Sequence, residues 1–423
     1  METVRPMEEG NLADVAGTSE PGLIEPDNDL SHVLNVLAAG GFGAWVVGGA
    51  VRDAILGKRP HEYDIATDAE PEEIVESFEE TIPTGIKFGT ITVKSGESMF
   101  EVTTLRTEKG YGDGRRPDEV NWGKSLSVDL SRRDFTMNAM AFDCSRGLLH
   151  DPFNGRADLK NGMLRAVGNA QHRLSEDGLR IMRAYRFMDR GDLGIWAPDD
   201  SLSAALVNNR AMLSKVSVER VWNEFAQICV GDNSGIVLAR MNRDGILLAI
   251  LKSIISLEAF EQISLINNDL EARIALLLQT QSSKEVSNIL KDLKAPSKVI
   301  KRVKHLHFLI HNTPKETELR LYRAVVGEEV LTHAELKYCR GESSDLIEGS
   351  MIFPTDVQCL VDGDWIMQRT GLGGGIKLGR LKEWLHRVQI ERGLKSKEEM
   401  ENVLCTIPWQ HGEPEDWPQV KWP

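Results

Sequence analysis

The hydrophobic period changes once along this chain, near residue 170, and that change limits the fold more than any other feature. Before it, short apolar runs punctuated by glycine alternate with short helical stretches. Ala44–Val47 reads as a buried strand running into Gly48-Gly49, Val51–Leu56 as a short helix, Glu62–Ala66 as a second strand and Pro71–Glu79 as a helix. Strands follow at 86–94 and 98–105 around a turn at Lys94-Ser95-Gly96. Ser31 looks like the N-cap of an earlier helix carrying Val33, Leu34 and Leu37, closed by Gly40-Gly41. After the change the period is helical. Leu174–Arg190 and Val216–Val230 are amphipathic, and helical patterns continue through 271–280, 284–294, 297–310, 317–326 and 377–391. Mixed elements followed by helices alone predict an α+β head on an otherwise all-α chain.

Charge placement qualifies what the net charge says. The chain holds 50 Lys+Arg against 64 Asp+Glu, a net charge of −14 that on its own argues against a nucleic-acid partner. Half of that excess lies in residues 1–40, which carry eight acids and one Arg. Lys284–Lys304 and Lys377–Lys397 each hold seven basic residues against two acids. Such blocks are usually a solvated helix face, and they are also where phosphates would be contacted. Residues 1–28 are acidic and aperiodic, which predicts a disordered tail. The five cysteines are scattered with no CxxC pair, a pattern of reduced thiols that predicts a cytoplasmic chain without a zinc ribbon. No apolar run is long enough to span a bilayer, and no secretory or transit signal is read at the start.

Three blocks carry chemistry. In Gly48-Gly49-Ala50-Val51-Arg52-Asp53 followed by Glu62-Tyr63-Asp64, paired glycines between strand and helix let backbone N–H groups approach an anion. Two carboxylates two residues apart on a strand share a face and repel unless a cation joins them, which suits Mg²⁺ and the phosphates it brings. The alternative is an exposed strand face. In Arg132-Arg133-Asp134-Phe135-Thr136-Met137-Asn138, arginines can grip phosphate in bidentate fashion, and Asp and Asn can bond ribose hydroxyls. In Glu176-Asp177-Gly178-Leu179-Arg180-Ile181-Met182-Arg183-Ala184-Tyr185-Arg186, a helix would align Asp177, Arg180 and Arg183, an acceptor and donors fit to read a nucleobase edge. A plain intrahelical salt bridge is the competing reading.

These blocks, in this order, resemble the bacterial-type (class II) tRNA nucleotidyltransferase and poly(A) polymerase family. The resemblance runs from about Gly41 to Val230 and includes Asp64-Ile65-Ala66-Thr67, Glu101-Val102-Thr103-Thr104, Asp113-Gly114-Arg115-Arg116-Pro117 and Val216-Ser217-Val218-Glu219-Arg220. It implies a nucleotidyltransferase head with a small mixed, antiparallel-rich sheet over 29–165, a helical neck over 166–235, a helical body over 236–345 and a helical tail over 346–405, with an extension at 406–423. It also implies roles. Gly48, Gly49, Arg52, Arg132, Arg133, Asp134, Asn138, Asp177, Arg180 and Arg183 would bind the nucleotide, and Glu62 and Asp64 would hold two Mg²⁺. Glu101 is a candidate third catalytic carboxylate. Lys298, Lys301, Arg302 and Lys304 in the body and Lys377, Arg380 and Arg387 in the tail would contact RNA.

The family normally has Asp-x-Asp where this chain has Glu62-Tyr63-Asp64. The longer side chain matters, because moving a ligand by roughly 1 Å can cost about 10²-fold in rate. The segment 107–122 resembles the family's glycine-rich flexible loop, associated with adding the terminal A. Asp362-Gly363-Asp364 and the run Gly371–Gly375 resemble the tail of the CCA-adding type. The implied activity is untemplated CCA addition to tRNA from CTP and ATP, with no membrane or protein partner. The alternatives are a poly(A) polymerase or A-adding enzyme on the same scaffold, and a non-catalytic RNA-binding relic. His150-Asp151 belongs to the head and predicts no appended HD phosphohydrolase. His305, His307 and His311 read as RNA-facing or simply exposed. If the metal assignment holds, Asp64→Ala abolishes nucleotide incorporation and Glu62→Ala lowers it severely. Full incorporation by both variants, measured with labelled nucleotide, removes it.

Overall fold

A computed structural model describes residues 3–5, 12–109 and 119–423. The chain divides into two compact units, Met1–Ile254 and Ile255–Pro423. The first is built on a nine-stranded sheet. In chain order its strands and the hairpin beside them are β1 (Thr3–Val4), β2 (Gly17–Ser19), β3 (Ala44–Val47), β4 (Asp64–Thr67), β5 (Thr81–Gly85), β6 (Thr90–Ser95), β7 (Ser98–Thr104), β8 (Arg106–Lys109), β9 (Glu119–Trp122), β10 (Ala141–Asp143) and β11 (Leu148–His150). The sheet order is β1-β2-β11-β10-β3-β4-β7-β6-β5, with β8 and β9 pairing separately. Every paired neighbour in it is antiparallel except β4 and β7, which run parallel with Asp64 opposite Glu101.

Helices α1 (Asn28–Ala39), α2 (Gly49–Ile55), α3 (Pro71–Ser77), α4 (Leu126–Ser131) and α5 (Gly155–Asn161) belong to this head. The helix pair α6 (Ala170–Glu176) and α7 (Leu179–Met188) then leads to α8 (Asp200–Asn208) and α9 (Val218–Cys229). Trp45, Val47, Ala66, Leu105, Leu126, Leu130 and Ala141 form one buried cluster, so β3, β4 and α4 close on a shared core. The α+β head followed by helices agrees with the period change near residue 170.

Four expectations need correction. Residues 12–28 do not trail as a loose tail: Gly17–Ser19 pairs with β11, and Ala13 is buried in the head core. The sheet is therefore larger than expected. The α1 N-cap is Asp27, whose carboxylate accepts from the Leu30 N–H at 2.9 Å, and Ser31 lies inside the helix. The amphipathic stretch Leu174–Arg190 is two helices broken at Asp177-Gly178, because an extended Asp177 ends α6. Residues 110–118, which hold most of the glycine-rich loop, fall outside the described residues; β8 and β9 flank them.

The second unit is helical throughout, and its basic helix Ser297–His311 explains why charge runs mislead. Lys298, Lys301 and Lys304 are exposed. Arg302 is instead the hub of an ion-pair network, 2.6 Å from Asp269, 2.7 Å from Glu329 and 3.1 Å from Glu271. Its hydrogen bonds to the Asp269 and Glu329 carboxylates raise its pKa, so its guanidinium cross-links helices and is not free for phosphate. His307 is likewise buried, at 3% exposure, and faces no solvent. The C-terminal segment is docked within this unit. Trp417 joins the core around Leu381 and Leu385, and Trp422 packs on Tyr322 with its indole N–H donating to Glu318 at 3.2 Å. Arg387 pairs with Glu391 and donates to the Gln419 carbonyl at 3.0 Å, so it also serves packing; Arg380 pairs with Glu383, and Lys377 lies over the Trp417 ring.

His333 gives this unit a pH dependence. Its ring is fully buried, with Nδ1 2.8 Å from the Tyr322 hydroxyl. Burial, then Lys337, pushes its pKa down to about 4. A depressed histidine means the unfolded chain takes up the proton first as pH falls. Its contribution is therefore complete above pH 6.5 and lost between there and about 4. Between pH 7 and 4.5 this one group should remove about 2–3 kcal/mol. Denaturant unfolding at the two pH values should show that loss in the natural chain and a correspondingly smaller one in His333→Gln.

Candidate active site

Twelve of the residues singled out from the sequence line one cleft of about 570 Å³ in the first unit. It forms where β3 turns into α2. Gly48 sits there at φ +72°, and a Cβ on it would lie 3.0 Å from Arg133 Nη1 and 3.9 Å from Asp64 Oδ2. Only glycine allows that approach. Its own N–H is spent on the Met140 carbonyl at 3.2 Å, so Gly48 supplies room and not the amide donor expected of it. Gly49 opens α2, whose N-terminus carries no side-chain cap.

Asp64 begins β4, but Glu62 precedes the strand, so the two are not the same-face strand pair that spacing suggested. Glu101 stands outside the cleft lining yet is the β7 partner of Asp64. Removal of water raises the Asp64 carboxyl; Arg133 opposes this and Glu62 adds to it. Glu101 is raised by loss of water and then by Asp64 and Glu62. The three carboxylates thus feel one another, and a cation among them would relieve the repulsion. No three side chains close into a metal cage among the described residues. Mg²⁺ usually takes one or two protein carboxylates and completes its shell with phosphate and water.

Opposite the acids stand arginines. Arg132 and Arg133 follow α4, whose Asp129, at 1% exposure, accepts from Arg132 at 2.6 Å and Arg133 at 3.5 Å. Burial pushes the Asp129 carboxyl up, but the two arginines outweigh it and hold it below its usual range. Arg133 Nε is buried without a hydrogen-bond partner among the described residues, a donor that an anion would satisfy. Asp134 accepts from Arg183 Nε at 2.8 Å and Asn138 Nδ2 at 3.1 Å, while Asn138 Oδ1 accepts from Arg52 at 2.9 Å. Asp134 is raised by burial and lowered more by Arg183 and Asn138, so it stays ionised.

The break at Asp177-Gly178 changes the third block. Asp177 does not pair with Arg180 along a helix. One carboxylate oxygen accepts from the Leu179 N–H and the other from Arg220 on α9, both at 2.9 Å. Arg180 pairs with Glu176 and donates to the carbonyls of Arg173 at 2.9 Å and Arg132 at 3.1 Å. Arg186, Phe187 and Arg220 also line the cleft; Arg186 ends the third block and Arg220 the Val216–Arg220 segment, but neither was given a role, and Phe187 was not marked by the sequence. The i+3 step from Arg183 to Arg186 was the available signal for one. Phe187 lies within 5.3 Å of the guanidinium carbons of Arg52, Arg183 and Arg186, so one ring supports three cations.

Residues 44–165 match the family model of the poly A polymerase head domain. A CCA-adding enzyme of Lactobacillus delbrueckii subsp. bulgaricus is 47% identical over 202 residues, 48% of this chain and 50% of that protein. The chain thus spans about half the length of the first curated relatives it matches. A CCA-adding enzyme of Leuconostoc mesenteroides is 37% identical over 313 residues, covering 72% of this chain and 76% of that one. The crystal structure of the Bacillus stearothermophilus CCA-adding enzyme with CTP aligns at TM-score 0.75 and 27% identity, over 90% of this chain and 99% of that one. The Thermotoga maritima CCA-adding enzyme complexed with tRNA shares the fold at TM-score 0.69 and 20% identity, over 92% of this chain and 99% of that one. The head is therefore of the poly A polymerase class. Within that class, the chain belongs to the family of class II CCA-adding enzymes.

The Asp177–Arg220 pair should hold the α6–α7 break to α9. A double-mutant cycle of Asp177→Asn and Arg220→Ala, read by denaturant unfolding, should give a coupling on the order of 1 kcal/mol. Additive losses would mean the pair holds nothing.

Proposed function

We propose that the chain adds CCA to tRNA 3′ ends without a nucleic-acid template, using CTP and ATP and releasing pyrophosphate. The observation that carries this reading is the single cleft where glycines, carboxylates and arginines meet, in a chain aligned with 76% of a CCA-adding enzyme. The terminal RNA 3′-oxygen bonds to the α-phosphorus of the nucleotide, the α–β phosphoanhydride bond breaks, and pyrophosphate departs with its electron pair. Arg132 and Arg133 grip the triphosphate, and the unpartnered Arg133 Nε supports that role. Glu62 and Asp64 hold two Mg²⁺. When bound, the ions supply positive charge to the leaving pyrophosphate and lower the proton affinity of the attacking hydroxyl. The proton that hydroxyl loses passes to solvent, and Glu101, beside Asp64 across β4 and β7, is the candidate third carboxylate.

Asp177 and Arg180 read the base, an acceptor beside a donor. Both enter already bonded to protein, which gives them fixed directions and makes hydrogen bonding to the wrong base costly. Asp134 and Asn138 lie near the ribose and, through Arg183 and Arg52, keep the nucleotide side of the cleft in shape. The acceptor arm is held by shape and phosphate contact through the exposed Lys298, Lys301 and Lys304, with Lys377 and Arg380 in supporting positions. The protein works in the cytoplasm; no helix of the described residues is long and apolar enough to cross a membrane.

One assay tests the reading on three tRNAs ending before, within and after CC, with CTP and ATP supplied separately. CTP incorporation followed by a single A is expected. A long A ladder replaces this reading by a poly(A) polymerase. ATP use only on the CC-ending tRNA replaces it by an A-adding enzyme. Absence of any Mg²⁺-dependent product on a folded chain leaves an RNA-binding relic.

A further inference from the structure

The segment 12–20 lies against the head, and it touches the helix that carries the arginine pair. Ala13, at 1% exposure, packs in the same cluster as Leu126 and Leu130 of α4. Asp14 Oδ1 accepts from the Ser127 N–H at 3.0 Å, and Oδ2 accepts from the Ser125 hydroxyl. Ser125 is itself the N-cap of α4, accepting from the Val128 N–H at 3.1 Å. Asp14 thus completes a cap that one serine begins. The chain is anchored further along as well: the Ala16 carbonyl is 3.3 Å from His150 Nδ1, Gly17–Ser19 pairs with β11, and Glu20 pairs with Arg156.

A helix of six residues has little stability of its own, so its setting comes from what holds its two ends. At the far end the Ser131 carbonyl accepts from Arg173 at 2.7 Å, and the Arg132 carbonyl from Arg180 at 3.1 Å. Asp129, one turn back, fixes both guanidinium groups of the pair. At the near end Leu126 is buried in the head core, and among the described residues the polar groups that hold that end are Ser125 and Asp14.

We propose that segment 12–20 is a strap, and that Asp14 is a positioning residue for nucleotide binding: it sets α4, and α4 sets Arg132 and Arg133 against the triphosphate. The proposal rests on reading the cleft as a CTP and ATP site. It concerns binding of the triphosphate and leaves the reacting atoms untouched.

The test uses the full chain and its Asp14→Ala and Asp14→Asn variants. CTP affinity with Mg²⁺ is measured by calorimetry, KM and kcat on a tRNA lacking CCA, amide exchange across 126–133, and the thermal midpoint. Losing such a cap should weaken CTP and raise KM by about three- to tenfold. Exchange across 126–133 should rise, and kcat should change by less than about twofold. Asp14→Asn keeps an acceptor oxygen and should recover most of the affinity. Unchanged CTP affinity in Asp14→Ala overturns the proposal. So does a fall in kcat at constant KM, which signals only fewer folded molecules. If Asp14→Ala does not fold, the same affinity and exchange comparison is made on Ser125→Ala, which removes the hydroxyl that Asp14 holds, and unchanged CTP affinity there overturns the proposal. A natural chain that binds CTP but extends no RNA sinks the CCA-adding reading and leaves the strap testable. A natural chain that binds no CTP removes the reading of the cleft, and the strap proposal falls with it.

Discussion

Seven arginines face one cleft, and the head keeps its shape because each is met by a carboxylate before any ligand arrives. Arg52 has Asp53, Arg132 and Arg133 share Asp129, Arg180 has Glu176, Arg183 has Asp134, Arg186 has Glu224 and Arg220 has Asp177. Crowded guanidinium groups would otherwise repel across a partly dehydrated space. Six acids serve seven bases, so this set carries one positive charge in excess. Several pairs join separate elements: Asp134 from the head meets Arg183 on α7, and Asp177 meets Arg220 on α9. The same ion pairs that tune the cleft therefore hold the helices to the sheet.

Much of this was legible in the sequence, and the rest was hidden for physical reasons. The strand into Gly48, the helix after it and the acids at Glu62 and Asp64 are local signals, and they converge as expected. The α6–α7 break was not legible, because apolar residues keep a helical spacing across Asp177-Gly178 and the pattern reads straight through. Asp177 holds the break locally, by accepting from the Leu179 N–H, and Arg220, far along the chain, takes its other carboxylate oxygen. Arg302 misled for the same reason. A basic run shows its charges but not the acids that Asp269, Glu271 and Glu329 bring from other segments.

The strap shows the limit of composition. Residues 12–20 lie in a stretch, 1–28, that is acidic and aperiodic, so disorder was the natural reading. What orders them is supplied by their neighbours: an open edge on β11, an unfinished cap at Ser125 and a small pocket that Ala13 fills. Backbone pairing at a sheet edge asks little of side chains, and no periodicity announces it.

The single parallel pair, β4 beside β7, has a consequence for how the acids come together. Parallel neighbours cannot be joined by a tight hairpin, so the chain must lay down α3, β5 and β6 before β7 can dock. Asp64 and Glu101 are therefore strangers until that crossover closes, and such non-local pairing forms slowly. Glu62 and Asp64 are neighbours in the chain from the start, but the third carboxylate reaches them only when β7 lies down beside β4. The mutual repulsion that a cation would relieve is thus a property of the folded head and is absent from the extended chain.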